Sequence, residues 1–342
     1  MQIQPFDTVY GRNLLAEVPN FAHSPTLIVT MQDLWPKFLS SLPNDQSVYF
    51  VRSMDAKALD EDLKQLSPFS CVIGLGGGQA LDTAKYFSWR RQRPLFQFPS
   101  SLSVDAVFGH RAAIRYAGII RYVGWSVPET VFIDYDVIRS APSSINRAGI
   151  GDVLCFHTAV LDWQYADAKG KTESKWPYDS SLANTSLAKV ETLLSNQNDV
   201  RNMTDKGIQI LIDGHKWGGA SFLSAGWNPR HIEGFEHFFF YALEYSTGKS
   251  FLHGQPVCLG TFIGTILHES HSDRFLKAIH NIGVDIRPEA MGISWHDVEK
   301  SLHGLKSYVC KNSLWYGIAN ETIFDNTCLV DIRERVEQIF GK

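Results

Sequence analysis

The chain has 342 residues, of which 32 are basic and 36 are acidic, so its net charge is -4. That balance gives no electrostatic support for binding nucleic acid or an anionic membrane surface. No apolar run of about 18 residues indicates a transmembrane helix, and the first residues do not resemble a secretory signal. The five scattered cysteines indicate neither a disulfide framework nor a thiolate zinc site. We therefore expect a cytoplasmic protein, and the length suggests two domains.

Strand and helix patterns alternate over the first 140 or so residues. Short apolar runs predict strands at 26–30, 47–52, 69–75, 94–99 and 130–134. Helical patterns lie between them, at 32–42, 56–66 and 80–91. This alternation is typical of an α/β domain with a Rossmann-like parallel sheet and helices on its faces.

Long helical patterns replace this alternation after Ser143. They cover 145–169, 181–194, 204–223, 231–245 and 255–268. The simplest interpretation is an α/β domain over residues 1–142, followed by an all-helical domain over residues 143–342.

A glycine-rich turn lies between the third predicted strand and the helix that follows it. It contains Gly76, Gly77 and Gly78. Glycines at such a turn let the backbone approach a pyrophosphate, and the helix N-terminus presents unpaired N–H groups. The pattern departs from GxGxxG because Gln79 stands at the last glycine position. From the residues alone, a phosphate-binding turn and a plain tight turn are equally open.

The helical half contains one carboxylate and two imidazoles that form a candidate metal site. Asp152 opens the first helical stretch, His237 lies within a later helix, and His253 opens the helix after that. Such a set would hold Zn²⁺ or Fe²⁺ and leave a coordination position open for a substrate oxygen. A metal there would stabilise an alkoxide during hydride transfer. Spacing alone favours ordinary core or surface histidines, because no local motif joins the three residues.

The order of the motifs strengthens this hypothesis. The series GLGGGQALDTAK, FPSSLSVDA, AGIGD, EGFEH and FLHG resembles the iron-containing alcohol dehydrogenase and dehydroquinate synthase superfamily, and most closely its glycerol-1-phosphate dehydrogenases. The resemblance runs from about residue 25 to 270, and the last seventy residues match only loosely. Each motif is weak, but five in the same order are specific.

The resemblance implies a nucleotide-binding domain, a helical metal-binding domain and an active site in the cleft between them. It assigns the metal to Asp152, His237 and His253. It assigns the cofactor to residues of the glycine turn and of the segment after the fourth main strand: Gly76, Gly77, Gly78, Asp82, Ser100 and Ser103. It also implies that Asp105 contacts the substrate, although a helix cap is the alternative for that residue.

The sequence departs from the family pattern in four places. Met31 and Gln32 stand where NAD-preferring members often carry an aspartate, so NAD and NADP both stay open. Tyr241 replaces a second histidine one turn after His237; it can still donate a hydrogen bond, and we count it as a candidate catalytic residue. Gly109 replaces a serine beside the cofactor, and the run 226–237 differs from the family's equivalent segment.

Several other polar residues are candidates of lower weight. Arg230 and Arg111 are the cations best placed in the sequence to hold a substrate phosphate. His268 and His271 have a spacing that could chelate a metal, but they fall where a helix ends, and we interpret them and His215 as structural.

Three functions follow as hypotheses. The favoured one is a metal-dependent NAD(P) oxidoreductase that acts on a small polyol or phosphopolyol, with Zn²⁺, Fe²⁺ or Ni²⁺ as its metal. The second is a lyase or cyclase of the dehydroquinate synthase kind, which uses NAD transiently on a sugar phosphate. The third is a non-catalytic nucleotide-binding protein, which the presence of all three candidate ligands disfavours. The exact substrate and a homo-oligomeric state stay open.

Overall fold

The computed structural model describes residues 7–18, 25–39, 42 and 46–341. The chain divides into two compact units, one ending at Asn146 and the other beginning at Arg147. None of the helices in these described ranges combines the length and the apolar character needed to cross a membrane.

Six parallel strands form the sheet of the first unit, in the order β1-β8-β5-β4-β2-β3. The strands are β1 (Thr8–Gly11), β2 (Thr26–Thr30), β3 (Ser47–Phe50), β4 (Cys71–Gly76), β5 (Leu95–Pro99) and β8 (Thr130–Asp134). The helices of this part of the chain are α1 (Trp35–Phe38), α2 (Ala56–Gln65), α3 (Gly78–Arg91), α4 (Tyr135–Ser140) and α5 (Ser143–Ala148).

The apolar character of the central strands follows from burial on both faces of the sheet. All five residues of β2 are buried. Leu27 and Val29 pack into one hydrophobic cluster with residues of α2 and α3, while Ile28 packs into a second cluster on the opposite face. A parallel sheet covered on both faces gives continuous apolar runs rather than alternating ones.

A separate antiparallel hairpin consists of β6 (Ala112–Tyr116) and β7 (Ile119–Val123). Its two-residue turn is Ala117-Gly118, and both residues have positive φ, at 51° and 80°. Positive φ at both central positions is typical of the tight turns that suit the twist of hairpin strands.

The described residues of the second unit form helices joined by loops, with no strand among them. Its longer helices are α6 (Gly151–Ala168), α7 (Ser180–Ser195), α9 (Asp205–Ser224), α10 (Phe235–Thr247), α11 (Gly254–Leu267), α12 (Ser272–Ile282), α13 (Trp295–Lys311) and α14 (Asn326–Phe340). A short helix, α8 (Gln197–Arg201), joins α7 to α9. The helix α11 packs against α10, α6 and α12.

The predicted fold class, a parallel α/β part followed by a helical part, is confirmed. Three predicted helices were wrong in extent, and the one at 231–245 begins only at Phe235. The helix predicted at 32–42 begins only at Trp35, after a turn, and has Pro36 in its first turn. Proline is tolerated there because the N–H groups of a first turn have no intrahelical partner. Residues 40, 41 and 43–45 of the predicted helix lie outside the described ranges. The helix at 145–169 is two helices, α5 and α6, and β1 and the hairpin were not predicted at all.

Candidate metal centre and nucleotide turn

Asp152, His237 and His253 come together in the second unit from three different helices. One ligand atom from each lies within 4.8 Å of the other two. Asp152 is at the start of α6, His237 is in the first turn of α10, and His253 is the residue that precedes α11. The structure therefore places side by side three residues that are 85 and 16 positions apart in the sequence (237 − 152 and 253 − 237).

Two glycines explain how Asp152 and His253 can approach each other. A Cβ atom on Gly151 would lie 2.8 Å from the Cα of Gly254, and a Cβ on Gly254 would lie 1.7 Å from the carbonyl oxygen of Ala148. Cβ atoms essentially never come closer than 3.0 Å to another heavy atom. The start of α6 and the start of α11 thus meet backbone to backbone, and each glycine adjoins a candidate ligand.

Asp152 and His253 are in direct contact. The His253 Nε2 and the Asp152 Oδ1 are 2.9 Å apart, and the Asp152 side chain is only 5% exposed. Burial by itself would raise the pKa of Asp152. The neighbouring His253, with His237 and His215 behind it, outweighs burial and holds that pKa well below its usual range. The carboxylate is therefore ionised at neutral pH, as a metal ligand must be.

His237 is held by the residue that precedes it. Its Nδ1 lies 3.0 Å from Oε1 of the fully buried Glu236, which leaves Nε2 as the ring nitrogen for an ion. Burial would lower the pKa of His237, but the hydrogen bond to Glu236 and the charges of Glu233, Glu236 and Asp152 raise it to about 9. This environment is strongly negative and suits a cation.

Another group in the described part of the chain has metal-binding spacing: Cys155, Glu236 and His237. Both oxygens of Glu236 already accept hydrogen bonds, Oε1 from the backbone N–H of Gly234 at 2.7 Å and Oε2 from the hydroxyl of Thr158 at 2.6 Å. An ion there would have to displace these bonds. In the set with Asp152 and His253, an ion would instead have to separate Nε2 of His253 from Oδ1 of Asp152, which are 2.9 Å apart.

The N-terminus of α10, which carries His237, is capped from another helix. The buried Asp162 of α6 accepts the backbone N–H of Phe235 through Oδ2 at 2.7 Å. Its Oδ1 accepts the backbone N–H of Ile318 at 2.9 Å and lies 3.0 Å from Nε2 of His268. One carboxylate thus fixes the start of α10 to two other segments of the second unit.

Tyr241 lies one turn after His237 on α10. Its hydroxyl donates to Oε1 of Glu233 at 2.9 Å, and its ring centroid is 6.1 Å from that of His237. Burial raises the pKa of Glu233, although His237 and the bond from Tyr241 oppose that effect. The structure therefore brings Tyr241 beside the candidate metal ligands, together with an acidic residue that the sequence analysis did not single out.

The glycine turn in the first unit has the geometry expected of a backbone that a ligand can approach closely. Gly76 ends β4 with φ at +154°, and a Cβ on it would lie 2.8 Å from that of Ala80. Gly77 precedes α3 and Gly78 begins it. The N–H of Ser100 donates to the Gly76 carbonyl at 2.8 Å, so the segment after β5 lies beside the turn.

The other predicted cofactor and substrate residues of the first unit do not share one environment. Ser103 follows Ser100 in the segment beside the turn, and Asp105 begins a 3-10 helix over Asp105–Phe108. Asp82 is buried, and one of its carboxylate oxygens lies 2.7 Å from Nζ of Lys85. These contacts are those of a buried ion pair, and the role of Asp82 in cofactor binding stays a prediction.

Lys85 holds the segment that carries Asp105. Its ammonium group donates to the carbonyl oxygens of Ala106 at 2.7 Å, Gly109 at 3.2 Å and Arg111 at 2.8 Å. The motif GGG..D.AK thus joins the glycine turn to a buried lysine that fixes the loop after β5.

Arg230 does not fit its predicted role as a phosphate ligand. Its guanidinium is fully buried and donates to the carbonyl oxygens of Tyr316 at 2.7 Å and Asp162 at 3.3 Å.

The interpretation of His268 and His215 as structural agrees with their hydrogen-bond partners. Nε2 of His268 lies 3.0 Å from Oδ1 of Asp162, and Nε2 of His215 lies 2.9 Å from the Gly149 carbonyl oxygen.

Comparison with known proteins gives a consistent result. A family model described as iron-containing alcohol dehydrogenase matches residues 44–142. The glycerol-1-phosphate dehydrogenase [NAD(P)+] of Hyperthermus butylicus is 30% identical over 247 residues, which are 72% of this chain and 69% of that protein. The enzyme of the same name from Sulfurisphaera tokodaii is 30% identical over 75% of this chain and 73% of its own length.

Solved structures share the fold at lower identity. A probable glycerol dehydrogenase from Sinorhizobium meliloti superposes with a TM-score of 0.73 at 15% identity, covering 98% of this chain and 97% of its own. A 2-epi-5-epi-valiolone synthase from Streptomyces hygroscopicus, solved with NAD+ and Zn²⁺ bound, gives 0.66 at 16% identity and covers 98% of both chains. Together with the sequence identity over most of its length, these matches show that the protein belongs to the glycerol-1-phosphate dehydrogenase family of iron-containing alcohol dehydrogenases.

Proposed function

We propose that this protein is a metal-dependent NAD(P) oxidoreductase that transfers a hydride between a nicotinamide ring and a small polyol or phosphopolyol, such as glycerol 1-phosphate and dihydroxyacetone phosphate. The observation that carries the proposal is the convergence of Asp152, His237 and His253 within 4.8 Å of one another. The relatives named above act, by their names, on glycerol 1-phosphate with NAD(P)+.

The donor set fits a divalent metal. One carboxylate oxygen and two imidazole nitrogens make three protein ligands, which is the number typical of catalytic zinc sites that keep a position open. We propose Zn²⁺, with Fe²⁺ and Ni²⁺ as alternatives, because imidazole and carboxylate accept all three. When bound, such an ion would polarise the substrate oxygen. The protein supplies the geometry through the close approach of Gly151 and Gly254.

We propose that the unit ending at Asn146 binds the nucleotide at the glycine turn. Gly77 and Gly78 are half-buried and carry no side chain, and the N–H groups at the start of α3 suit a pyrophosphate. Ser100 and Ser103 would line the cofactor. Neither Met31 nor Gln32 offers a carboxylate to a ribose hydroxyl, so both NAD and NADP are compatible with this turn.

Two further residues are proposed to contact the substrate. Tyr241 donates its hydroxyl hydrogen to Glu233, and the lone pairs of a phenolic oxygen can also accept a hydrogen bond, here from a substrate hydroxyl. Asp105 would accept one in the same way. Their role is to orient the carbinol carbon for direct transfer of the hydride to C4 of the nicotinamide.

The cyclase hypothesis is disfavoured. The relatives at 30% identity are named as dehydrogenases, and the likeness to a valiolone synthase is a likeness of fold. A cytoplasmic location and a homo-oligomeric state are further proposals, which depend on composition and on the family.

The proposal is tested by metal analysis, cofactor binding and turnover. We expect one tightly bound divalent ion per chain, quenching of NADH or NADPH fluorescence, and oxidation of the reduced cofactor in proportion to product. Dihydroxyacetone phosphate, dihydroxyacetone and simple aldehydes are the substrates to compare. Product formed without net consumption of reduced cofactor would indicate a cyclase, and the absence of bound metal would refute the proposed site.

A further inference from the structure

The charge of Glu236 calls for an explanation. Its side chain is fully buried at the second residue of α10, and a buried carboxylate costs several kcal/mol in lost hydration unless strong partners compensate. Glutamine would have a similar size and could accept a hydrogen bond from the Gly234 backbone. The partner that benefits from a full negative charge is the imidazole of His237, 3.0 Å away.

The contact of Glu236 with His237 selects one form of the ring. When Nδ1 carries the hydrogen that is donated to Oε1 of Glu236, Nε2 has its lone pair free for a cation. A carboxylate behind a metal-binding histidine also stabilises the positive charge that the ring takes from the ion. The hydrogen bond thus fixes the tautomer, the orientation and the donor strength of this nitrogen.

Glu236 also contacts the other two helices that carry candidate ligands. Its Oε2 accepts the hydroxyl of Thr158 at 2.6 Å, and Thr158 belongs to α6, the helix of Asp152. Gly260 belongs to α11, which follows His253, and a Cβ on Gly260 would lie 2.8 Å from the backbone of Glu236. Glu236 therefore lies where the three ligand-bearing helices meet.

From this arrangement we propose that Glu236 is a positioning residue that raises the affinity of the protein for a divalent cation through His237, and that Thr158 holds its carboxylate in place. The proposal rests on the metal site proposed above. The competing role is helix capping, because Oε1 also accepts the backbone N–H of Gly234 and an acidic side chain is favourable in a first turn.

The two roles predict different measurements. A cap contributes to the free energy of unfolding and leaves the metal affinity of the folded protein unchanged. A positioning residue changes the dissociation constant for the metal. The experiment is therefore a competition titration of metal-stripped protein with Zn²⁺ against a chromophoric chelator, with the absorption spectrum of the Co²⁺-loaded protein as a second readout.

Four variants make the comparison. Glu236→Gln keeps the shape and removes the charge, and should weaken Zn²⁺ binding by about tenfold to a hundredfold. Thr158→Val should weaken it in the same direction by a smaller factor, and Thr158→Ser, which keeps the hydroxyl, should restore it. Thr265→Val is the matched control, since Thr265 is also a buried helical threonine that donates to the carbonyl three residues earlier, at 2.6 Å, without a carboxylate partner.

Each outcome decides between the roles. If Glu236→Gln binds Zn²⁺ as tightly as the unsubstituted protein and only unfolds more easily, the positioning role is wrong and the cap explains the residue. If Glu236→Gln does not fold, equal affinity in Thr158→Val and Thr158→Ser would overturn the proposal. If the unsubstituted protein binds no Zn²⁺ or Co²⁺, the metal site itself fails, and this result is distinct from an effect of Glu236.

Discussion

The close contact at Gly254 gives a quantitative prediction for the substitution Gly254→Ala. The new Cβ would lie 1.7 Å from the carbonyl oxygen of Ala148, whereas Cβ atoms essentially never approach closer than 3.0 Å. The start of α11 and the end of α5 would have to separate by about 1.3 Å, the difference between these distances. Metal sites tolerate displacements of only about 0.2 Å in their bond lengths, and His253 is the neighbour of the substituted residue.

We expect two consequences of Gly254→Ala. Overpacking at this contact should lower the free energy of unfolding by about 1–3 kcal/mol, as other insertions into well-packed regions do. The affinity for Zn²⁺ should fall by about tenfold or more, which corresponds to about 1.4 kcal/mol or more of binding free energy. Urea unfolding of the metal-free protein and competition titration with a chelator measure the two effects separately.

Gly304→Ala provides the control. Gly304 is an exposed residue within α13, and a Cβ there would meet no atom within 4 Å. Replacing a glycine in a helix interior should raise stability by about 0.5–1 kcal/mol and leave metal binding unchanged. If Gly254→Ala keeps both the stability and the metal affinity of the unsubstituted protein, the glycine contact does not position the site and the reasoning is refuted.

Three further predictions concern other parts of the chain. Lys85→Met leaves the buried carboxylate of Asp82 without the ammonium group of Lys85 and should lower the free energy of unfolding in urea by about 3–5 kcal/mol. The control Lys64→Met, at an exposed ion pair with the same i,i+3 spacing, should lower it by less than about 1 kcal/mol. Equal losses in the two variants would contradict the structural role of Lys85. Tyr241→Phe should lower kcat/KM by about tenfold with bound metal unchanged, and full turnover in this variant would remove Tyr241 from the site. Burial lowers the pKa of His231 to about 4, so below about pH 6.5 the unfolded chain binds a proton that the folded protein does not. The free energy of unfolding should therefore fall by up to about 3 kcal/mol between pH 6.5 and pH 4, and it should fall less steeply in His231→Gln. An equal slope in both proteins would contradict this prediction.

The fold was predictable wherever one residue pattern dominates. The strands β2, β4 and β8 are continuous apolar runs because the sheet buries them on both faces, and such runs are visible in the sequence. The hairpin β6–β7 was missed because apolar residues are exposed on both faces of β7, such as Ile119 on one face and Tyr122 on the other, and this obscures the alternation of a half-buried strand. Its Ala117-Gly118 turn also lacks the Asn-Gly or Asp-Gly signal.

The three candidate metal ligands were predictable from the sequence, and the residues that support them were not. Asp152, His237 and His253 were found because motifs in a known order accompany them. Glu236 was overlooked although it stands next to His237 in EGFEH, because its function depends on contacts with α6 that a linear pattern does not contain. The ion pair of Asp82 was overlooked for a related reason: the motif shows only neighbours in the chain, and the burial of Asp82 and Lys85 is visible only in the folded structure.

The hydrogen bonds of Asp162 have a consequence for the segment that contains Tyr316 and Ile318. The N–H of Ile318 donates to Asp162, and the carbonyl of Tyr316 accepts from Arg230, so a loop far along the polypeptide is tied to the carboxylate that caps the helix of His237. Residue changes in this loop, or truncations that remove it, would loosen that helix without touching the ion. Substitutions in this segment are therefore expected to weaken metal binding at the proposed site although all three candidate ligands are unchanged.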